Sequence, residues 1–535
     1  MRGSIRVRRF GIVSALLVLL AAAVLAAPAA ASTAGIWRPA VTASSETTSY
    51  PPIPAGPITT LPDFVGAAAT PQPVDVFIAQ NPQLAPNPFS YLHNDSWNSD
   101  VFTVWAPLGN QPRAFSSSLG AAPVAGKQMT ATMATDTYGR LVAIAIDPTG
   151  SYVLLIDPES LEVLCSKKLG AGGTGAIGSA YWYLDPQDQV TVVAGADEVV
   201  TVREGGTLTQ PAWEDVPGRR FDFSSLDPSP VPEGDKLAGI MADWEGRIWF
   251  QTFGASGAPR AGLFDPATWP TVKWIELGKG EQVWNGFAVD KDAAYVLTSE
   301  KLYRLGAGSD GKPRIVWSAS YETTGKNRPG QYSLGSGTSP AILGGGKYVT
   351  IADAAAHENV LVFRTAAKLK RGQKRLVGSL PLFTSQAGQA VENSLLAAGD
   401  SIVAENNFGY SWAFAPDGAM SSTGGLPGLE RVDVRADGKG LVKVWENDEV
   451  ASMTTPKLST KTGLIYVLAR EKDEQTAADV YYWTAVDFRT GEVVWQKLAG
   501  TGQAYDNYWA GPAVGRNGAV YVGCYGGLAA IRDGE

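Results

Sequence analysis

Acidic, amide and imidazole side chains cluster between residues 350 and 410, in short stretches that could bind a metal ion or move a proton. The stretches read IADAAAHEN, VENS and AENNF, and their polar members include Asp353, His357, Glu392, Asn393, Glu405, Asn406 and Asn407. Carboxylate and amide oxygens are the ligands that calcium prefers, and one ion takes about six to eight of them. The pattern therefore predicts a calcium site with Asp353, Glu392 and Glu405 as ligands.

The same stretches contain candidates for acid–base catalysis and for ligand binding. His357, Asp353 and Glu392 are the predicted catalytic residues, because His and carboxylates exchange protons near neutral pH. His357 is preferred to His93, which lies at the edge of the N-terminal leader in YLHNDSWNSD. The predicted ligand-binding residues are Asn393, Asn406, Asn407 and Tyr508.

A plainer interpretation applies to each of these residues taken singly. Asn, Asp and Glu at strand ends often bond to their own backbone and complete a turn. The repeated Glu-Asn pair, at Glu392 and again at Glu405, is what favours a functional cluster over isolated turn residues.

Short β-rich runs separated by Gly, Asp-Gly and Asn-Gly place these stretches in an all-β fold. In AVGRNGAVYVG, Asn517 and Gly518 lie between two such runs, as a tight hairpin requires. The same strand, turn and strand plan occurs eight times after about residue 95. This repetition predicts an eight-bladed β-propeller of four-stranded antiparallel blades.

A large residue recurs late in each repeat, where the outer strand of a blade is expected. These outer-strand positions are Cys165, Trp213, Trp274, Trp317, Val377, Trp445 and Trp495, with Trp105 as the eighth. Because Trp105 precedes the first hairpin and the chain stops after a third strand, the ring is predicted to be closed by an N-terminal strand around Trp105. That strand would pair beside Ala529 to Arg532.

One repeat carries a resemblance to a known family. AVDFRTGEVVWQKLAG, with Asp487, Thr490, Gly491 and Trp495, resembles the repeat of the quinoprotein, or PQQ-like, β-propellers. The resemblance implies the propeller architecture and raises PQQ with calcium as cofactors. PQQ itself is disfavoured, because the adjacent Cys pair that stacks on it in the alcohol-oxidising members is absent.

Composition excludes several kinds of partner and site. The formal net charge of -8 leaves no basic excess to neutralise phosphates, so no nucleic-acid partner is expected. Two His and two Cys are too few for a zinc finger or a four-cysteine cluster. Whether Cys165 and Cys524 form a disulfide is left open by the sequence.

The N-terminus has the pattern of an export signal. Arg2 to Arg9 supply the basic region, the apolar run from Ile12 to Ala27 follows, and small residues precede Ser32. We therefore predict a signal peptide at 1–31, a Pro/Ala/Thr-rich leader or surface strap at 32–94, and the propeller at 95–535. The mature protein is predicted to be secreted, extracellular and monomeric, without a stable membrane span.

Three functions from different classes fit these features. The first is a secreted propeller that binds a small polar molecule, a glycan or a partner at its channel face. The second is a calcium-dependent hydrolase, lactonase or lyase that uses the acidic and amide residues. The third, a PQQ-dependent dehydrogenase, is the least favoured.

Overall fold

Eight four-stranded antiparallel sheets form the blades of a β-propeller, as predicted. The computed structural model describes residues 50–119, 129–147, 150–170, 178–207, 210–414 and 420–534. The predicted signal peptide therefore lies outside the described residues. We find no α-helix in these ranges, and only short 3-10 turns such as Gln503–Tyr505.

Three strands precede the first complete blade: β1 (Phe64–Gly66), β2 (Val101–Phe102) and β3 (Arg113–Ser117). Each blade is written from the inner to the outer strand. Blade 1 is β4–β7 (Met129–Thr135, Leu141–Asp147, Gly150–Ile156, Val163–Lys168), and blade 2 is β8–β11 (Tyr183–Leu184, Val190–Ala194, Glu198–Thr207, Gln210–Asp222). Blade 3 is β12–β15 (Leu237–Ala242, Ile248–Thr252, Arg260–Phe264, Val272–Glu276), and blade 4 is β16–β19 (Ala288–Val289, Ala294–Leu297, Lys301–Ala307, Pro313–Ser320).

Blade 5 contains β20–β23 (Ala341–Leu343, Tyr348–Ala352, Asn359–Arg364, Leu376–Pro381), and blade 7 contains β30–β33 (Lys457–Ser459, Leu464–Lys472, Asp479–Asp487, Val493–Thr501). Blade 6 contains β24, β25, β28 and β29 (Leu396–Ala398, Ser401–Glu405, Leu429–Val434, Leu441–Asn447), with the hairpin β26–β27 (Ser411–Phe414, Met420–Thr423) inserted between its second and third strands. Blade 8 contains β34–β36 (Ala513–Val514, Val520–Cys524, Gly527–Arg532) and β3.

The predicted outer-strand positions of blades 1 to 7 all lie in the fourth strand of their blade, counted from the channel. Five of these seven residues are tryptophans, whose indoles offer large apolar area and one N–H donor. Trp317 of blade 4 donates to the carbonyl of Thr365 in blade 5 at 3.3 Å, and Trp445 of blade 6 donates to that of Phe488 in blade 7 at 2.9 Å. Trp317 and Trp445 therefore connect consecutive blades.

The prediction for Trp105 was wrong. The strand that pairs with β36 is β3, in which Phe115 lies opposite Ala530, whereas Trp105 is 54% exposed. The reason is the path of the chain, because Val101 and Phe102 pair with the inner strand β30 in the channel. The residues that follow them, including Trp105, must run from the axis to the rim before a strand can form.

Between Phe64 and Asn81 the chain lies along the surface of the propeller before it reaches the channel. Strand β1 adds a fifth antiparallel strand outside β33. The backbone N–H groups of Gln72 and Val74 then donate to Thr462 and Thr460, in the turn between the first two strands of blade 7. Asn81 donates to the carbonyl of Ala242, at the equivalent turn of blade 3. We call the face that carries these turns the lower face, and the opposite face the upper face.

Residues 84–102 form a loop inside the channel, which we call the channel loop. Its carbonyls at 96, 97, 99 and 100 accept N–H groups from the inner strands of blades 4, 5, 6 and 7. Tyr91 pairs antiparallel with blade 2, whereas Val101 pairs parallel with blade 7. Because the inner strands all run in one direction, the segment at Tyr91 and the segment at Val101 run in opposite directions. Both ends of the channel loop therefore lie at the lower face. The predicted boundary at residue 95 falls within this loop.

Cys165 and Cys524 are both free in the structure. Cys165 lies in the outer strand of blade 1 and is half-buried, whereas Cys524 ends the second strand of blade 8 and is buried. Burial raises the pKa of the Cys165 thiol to about 12, which makes it a packing residue and a poor nucleophile.

Candidate functional site at the upper mouth of the channel

The upper face carries most of the residues that the sequence singled out. Loops at this face join the second strand of a blade to the third, or one blade to the next. Asp353 and His357 lie in the loop between β21 and β22, Glu392 and Asn393 in the loop that precedes β24, and Asn407 in the loop after β25. Antiparallel pairing inside the blades thus brings three separate stretches of sequence to one face.

Glu392 is the centre of the site. Its Oε1 accepts hydrogen bonds from the backbone N–H of Ser333 at 3.2 Å and from the Ser333 hydroxyl at 3.0 Å. Its Oε2 is buried, and we find no hydrogen-bond partner for it among the described residues. Burial raises the pKa of this carboxyl to about 8. Glu392 is therefore largely protonated near neutral pH and has hydrogen-bonding capacity to offer a ligand.

The absence of a side chain at residue 337 permits this arrangement. A Cβ at Gly337 would lie 2.4 Å from Oε2 of Glu392 and 2.5 Å from its Cα. The segment that contains Gly337 thus contributes a close backbone approach beside the carboxyl.

The predicted asparagines Asn406 and Asn407 form hydrogen bonds with the backbone of the loop that carries Glu392. Oδ1 of Asn407 accepts the backbone N–H of Glu392 at 2.9 Å and that of Asn393 at 3.2 Å. Oδ1 of Asn406 accepts the N–H of Ala390 at 3.2 Å. Their side chains hold the loop before β24 in place, so the structure gives them a positioning role in the site.

Glu405 is enclosed within the same support. It is 2% exposed, and its oxygens accept from Asn393 at 3.3 Å and from Asn407 at 3.0 Å. Burial raises its pKa well above the ordinary value. The repeated Glu-Asn pattern thus marks one hydrogen-bonded unit that links two loops.

Asp353 and His357 play no comparable part around Glu392. Both oxygens of Asp353 are used within its own loop, by the backbone N–H and the amide of Asn359, each at 2.8 Å. The side chain of His357 is exposed. Within residues 50–534, as far as they are described, no group of three or more His, Cys, Asp or Glu side chains could hold a metal ion. Asp353, Glu392 and Glu405, the predicted calcium ligands, therefore do not form such a group in the described residues.

Aromatic side chains surround the site, and only part of this set was predicted from the sequence. Trp509 contacts Tyr332, Tyr410 and Tyr508 edge to face, with ring centroids 4.8, 4.9 and 4.8 Å away respectively. Tyr508 in turn lies 5.5 Å from Tyr525. Tyr332, Tyr508 and Trp509 remain partly exposed, whereas Tyr410 and Tyr525 are buried. Three rings thus present accessible surface at the upper mouth.

The backbone at Tyr508 and Trp509 is strained. Their φ angles are 48° and 55°, in the left-handed region that bulky residues rarely occupy. Such strain concentrates at functional sites, where the surrounding structure enforces it. The hydroxyl of Tyr410 donates to Asp506 at 2.7 Å, and the same carboxylate accepts the N–H of Tyr508 at 3.1 Å. Asp506 therefore fixes the strained aromatic pair.

The channel loop contributes a second group of polar residues, just below the loop that carries Glu392. His93 is 3% exposed, its Nδ1 lies 3.0 Å from Asp100, and its Nε2 lies 3.3 Å from the hydroxyl of Ser394. Lys457, from the inner strand of blade 7, forms an ion pair with Asp100, and both side chains are fully buried. The histidine that the sequence analysis ranked second is thus the one inside the channel.

The protonation of Glu392 predicts a pH dependence of stability. The folded protein holds this proton up to a pH of about 8, whereas the unfolded chain releases it near 4.5. Its contribution to folding is therefore full at low pH and is lost as the pH rises through this interval. We expect Glu392→Gln to flatten the fall in stability between about pH 5 and pH 8, measured as urea midpoints across that range. Glu474→Gln, an exposed control, should reproduce the wild-type curve, and an unchanged Glu392→Gln curve would contradict the buried neutral carboxyl.

Comparisons with known proteins do not place the chain in a family, since no family model matches it. A protein from Archaeoglobus fulgidus, named only as uncharacterized, is 25% identical over 330 residues, which cover 57% of this chain and 62% of the relative. The chain thus spans less than two thirds of that relative's length. Membership of the PQQ-like repeat family stays a prediction.

Solved structures with a similar fold have little sequence in common with this chain. A streptogramin B lyase is 10% identical, covering 77% of this chain and 94% of its own, with a TM-score of 0.37. Chaetomium thermophilum Sqt1, bound to the N-terminus of ribosomal protein L10, is 10% identical over 74% and 94%, with a TM-score of 0.42. BamB from Moraxella catarrhalis is 12% identical over 65% and 92%, with a TM-score of 0.33. None of them supports an argument about function.

No helix in the described ranges has the length and hydropathy that crossing a membrane requires.

Proposed function

We propose that this propeller binds a small, neutral, polyhydroxylated ligand of the saccharide class at the upper mouth of its channel. The observation that carries the proposal is the Oε2 of Glu392, which has no hydrogen-bond partner among the described residues and lies near Tyr332 and Tyr508. The rings of these two tyrosines and of Trp509, which contacts both, stay partly exposed. A saccharide has hydroxyl groups to satisfy a carboxyl and C–H faces to lie against aromatic rings.

The electrostatics of the mouth favour an uncharged ligand. With the pKa of Glu392 raised to about 8, the carboxyl facing the ligand is mostly neutral near pH 7. Burial raises the pKa of Tyr508 as well, so its hydroxyl also remains protonated. Neutral carboxyl and phenol groups donate and accept hydrogen bonds without the desolvation cost of a buried charge.

A second candidate function is a hydrolase, lactonase or lyase in which Glu392 donates a proton. The raised pKa favours it, because a carboxyl that stays protonated near neutral pH is suited to general acid catalysis. This candidate needs no calcium. Export of the protein to the extracellular space, inferred from residues 1–31, is part of the proposal under either function.

The test is calorimetric titration of the full mature chain with a panel of neutral oligosaccharides. For a saccharide that binds, we expect Trp509→Ala to weaken the affinity by about tenfold or more, because an anchoring ring is lost. Trp105→Ala, which removes an exposed indole outside the proposed site, is the matched control and should bind as the wild type does. Failure of every saccharide to bind, or equal weakening by both substitutions, would contradict the proposal.

Glu392→Gln distinguishes the two functions. The amide keeps a hydrogen-bond donor and acceptor, so a binding protein should lose little affinity. An enzyme that relies on the carboxyl proton should still bind the ligand but lose turnover by roughly 10²- to 10⁴-fold.

A further inference from the structure

Ser394, His93 and Asp100 form a continuous hydrogen-bonded chain between the upper mouth and the channel loop. The hydroxyl of Ser394 lies 3.3 Å from Nε2 of His93, and Nδ1 of His93 lies 3.0 Å from Asp100. All three residues are at most 7% exposed. The order of the groups is hydroxyl, imidazole and carboxylate, which is the arrangement that activates a serine nucleophile.

The surrounding contacts favour one direction for each hydrogen bond. Burial alone would raise the pKa of Asp100, but His93 and Lys457 together hold it below the ordinary value. Asp100 is thus a carboxylate and accepts from Nδ1, and in the tautomer with its proton on Nδ1 the imidazole presents Nε2 as an acceptor. The oxygen of Ser394 already accepts the backbone N–H of Ser339 at 3.3 Å, which leaves its proton to donate to Nε2.

The location of Ser394 connects the hydrogen-bonded series of Ser394, His93 and Asp100 to the proposed ligand site. Ser394 follows Glu392 by two residues in the same upper loop and retains 7% exposure. Asp100 has a φ of 59°, and its backbone N–H donates to the carbonyl of His93 at 3.2 Å. The fully buried Lys457 offsets its charge. The channel loop therefore holds the imidazole rigidly beneath the serine.

We propose that Ser394 is the nucleophile of an acyl-ester hydrolase, with His93 as its general base and Asp100 as the positioning residue. That the ester is carried by a saccharide rests on the proposed function above, whereas the nucleophile itself does not.

The reaction balances without a cofactor. The oxygen of Ser394 bonds to the acyl carbon, and its proton passes to Nε2 of His93. The carbon–oxygen bond of the ester breaks, and the leaving alkoxide takes that proton to become an alcohol. Water then attacks the acyl-serine with the help of His93, releases the carboxylic acid and restores the hydroxyl.

A fluorophosphonate probe tests the proposal on the full mature chain, without any saccharide. We expect one covalent adduct, which peptide mass mapping places on Ser394. His93→Asn keeps an N–H for Asp100 and removes the acceptor that faces Ser394, so labelling should slow by roughly 10²- to 10⁴-fold. Ser96→Ala is the matched control and should label at the wild-type rate, because Ser96 lies in the same loop as His93 and its buried hydroxyl has no partner among the residues that the structure describes.

The outcomes separate this proposal from the binding proposal. If Ser394 stays unlabelled while a known serine hydrolase in the same tube reacts, or if the adduct lies on another residue, the nucleophile is overturned. It is also overturned if His93→Asn, shown to be folded by its melting temperature, labels as fast as the wild type. Saccharide binding without labelling would leave the ligand site intact and remove only the hydrolase.

Discussion

Replacing Lys457 by Met is expected to lower the free energy of unfolding by about 3–5 kcal/mol, because the substitution leaves the buried carboxylate of Asp100 without its cation. Besides Asp100, the ammonium donates to the carbonyl of Leu92 at 2.6 Å and to Asn94 at 2.9 Å. Met has a similar length but no donor, so three acceptors of the channel loop lose a partner together. Urea denaturation of the two proteins measures the difference.

Lys472→Met is the matched control. Lys472 lies on the second strand of the same blade and pairs with Asp479 at 3.2 Å, but its side chain is 51% exposed. Exposed pairs contribute about 0–1 kcal/mol, so this variant should unfold close to the wild type. Similar losses in the two variants would show that the channel loop is not anchored by a buried ion pair.

Replacing Trp495 by Ala is expected to lower the free energy of unfolding by about 3–5 kcal/mol, the usual loss when a buried Trp leaves a cavity. Trp495 is fully buried at the outer strand of blade 7. Its indole lies so close to Gly109 that a Cβ there would be 2.6 Å from Cδ1, and strand β1 pairs beside it. The cavity would therefore loosen both the blade and the leader.

Trp105→Ala provides the comparison, because the sequence pattern assigned both tryptophans to equivalent positions. With 54% of its surface exposed, Trp105 should contribute within about 0.5 kcal/mol. Equal destabilisation by the two changes, measured by urea denaturation, would contradict the strand assignment of blade 8.

The fold was predictable where local signals decide it. Alternating apolar residues and tight-turn residues specify hairpins, and a hairpin such as that around Asn517 and Gly518 needs only about ten residues to define itself. Because each blade packs mainly on its neighbours, the same residue type recurs at equivalent places, and Trp213 to Trp495 all fell on outer strands. Local repetition thus specified the number of blades and their order.

The channel loop was not predictable in the same way. Whether residues 84–102 lie on the surface or inside the ring depends on the width of a channel formed by all eight inner strands. The residues near His93 form no local pattern from which the width of the channel could be predicted. His93 therefore resembled a leader residue, and the exposed His357 was preferred in its place. A buried role is compatible with the many short polar side chains of YLHNDSWNSD, which satisfy backbone groups that water would otherwise bond.

The candidate site was predicted in part. Glu392 and the asparagines were found because the Glu-Asn pair repeats across one hairpin, and the structure shows that this repetition reflects mutual hydrogen bonding. Tyr332 and Trp509 were missed, since nothing in the sequence shows that two distant loops meet above the channel. The aromatic pair at Tyr508 and Trp509, just before an inner strand, was the available signal.

The most direct test of the ligand site is a crystal structure of the wild-type chain with the saccharide that binds tightest in the panel. We predict a sugar ring against Trp509 and Tyr508, with a hydroxyl within hydrogen-bond distance of Oε2 of Glu392. A saccharide bound only elsewhere, for example beside the exposed indole of Trp105, would contradict the assignment of the upper mouth as the functional site.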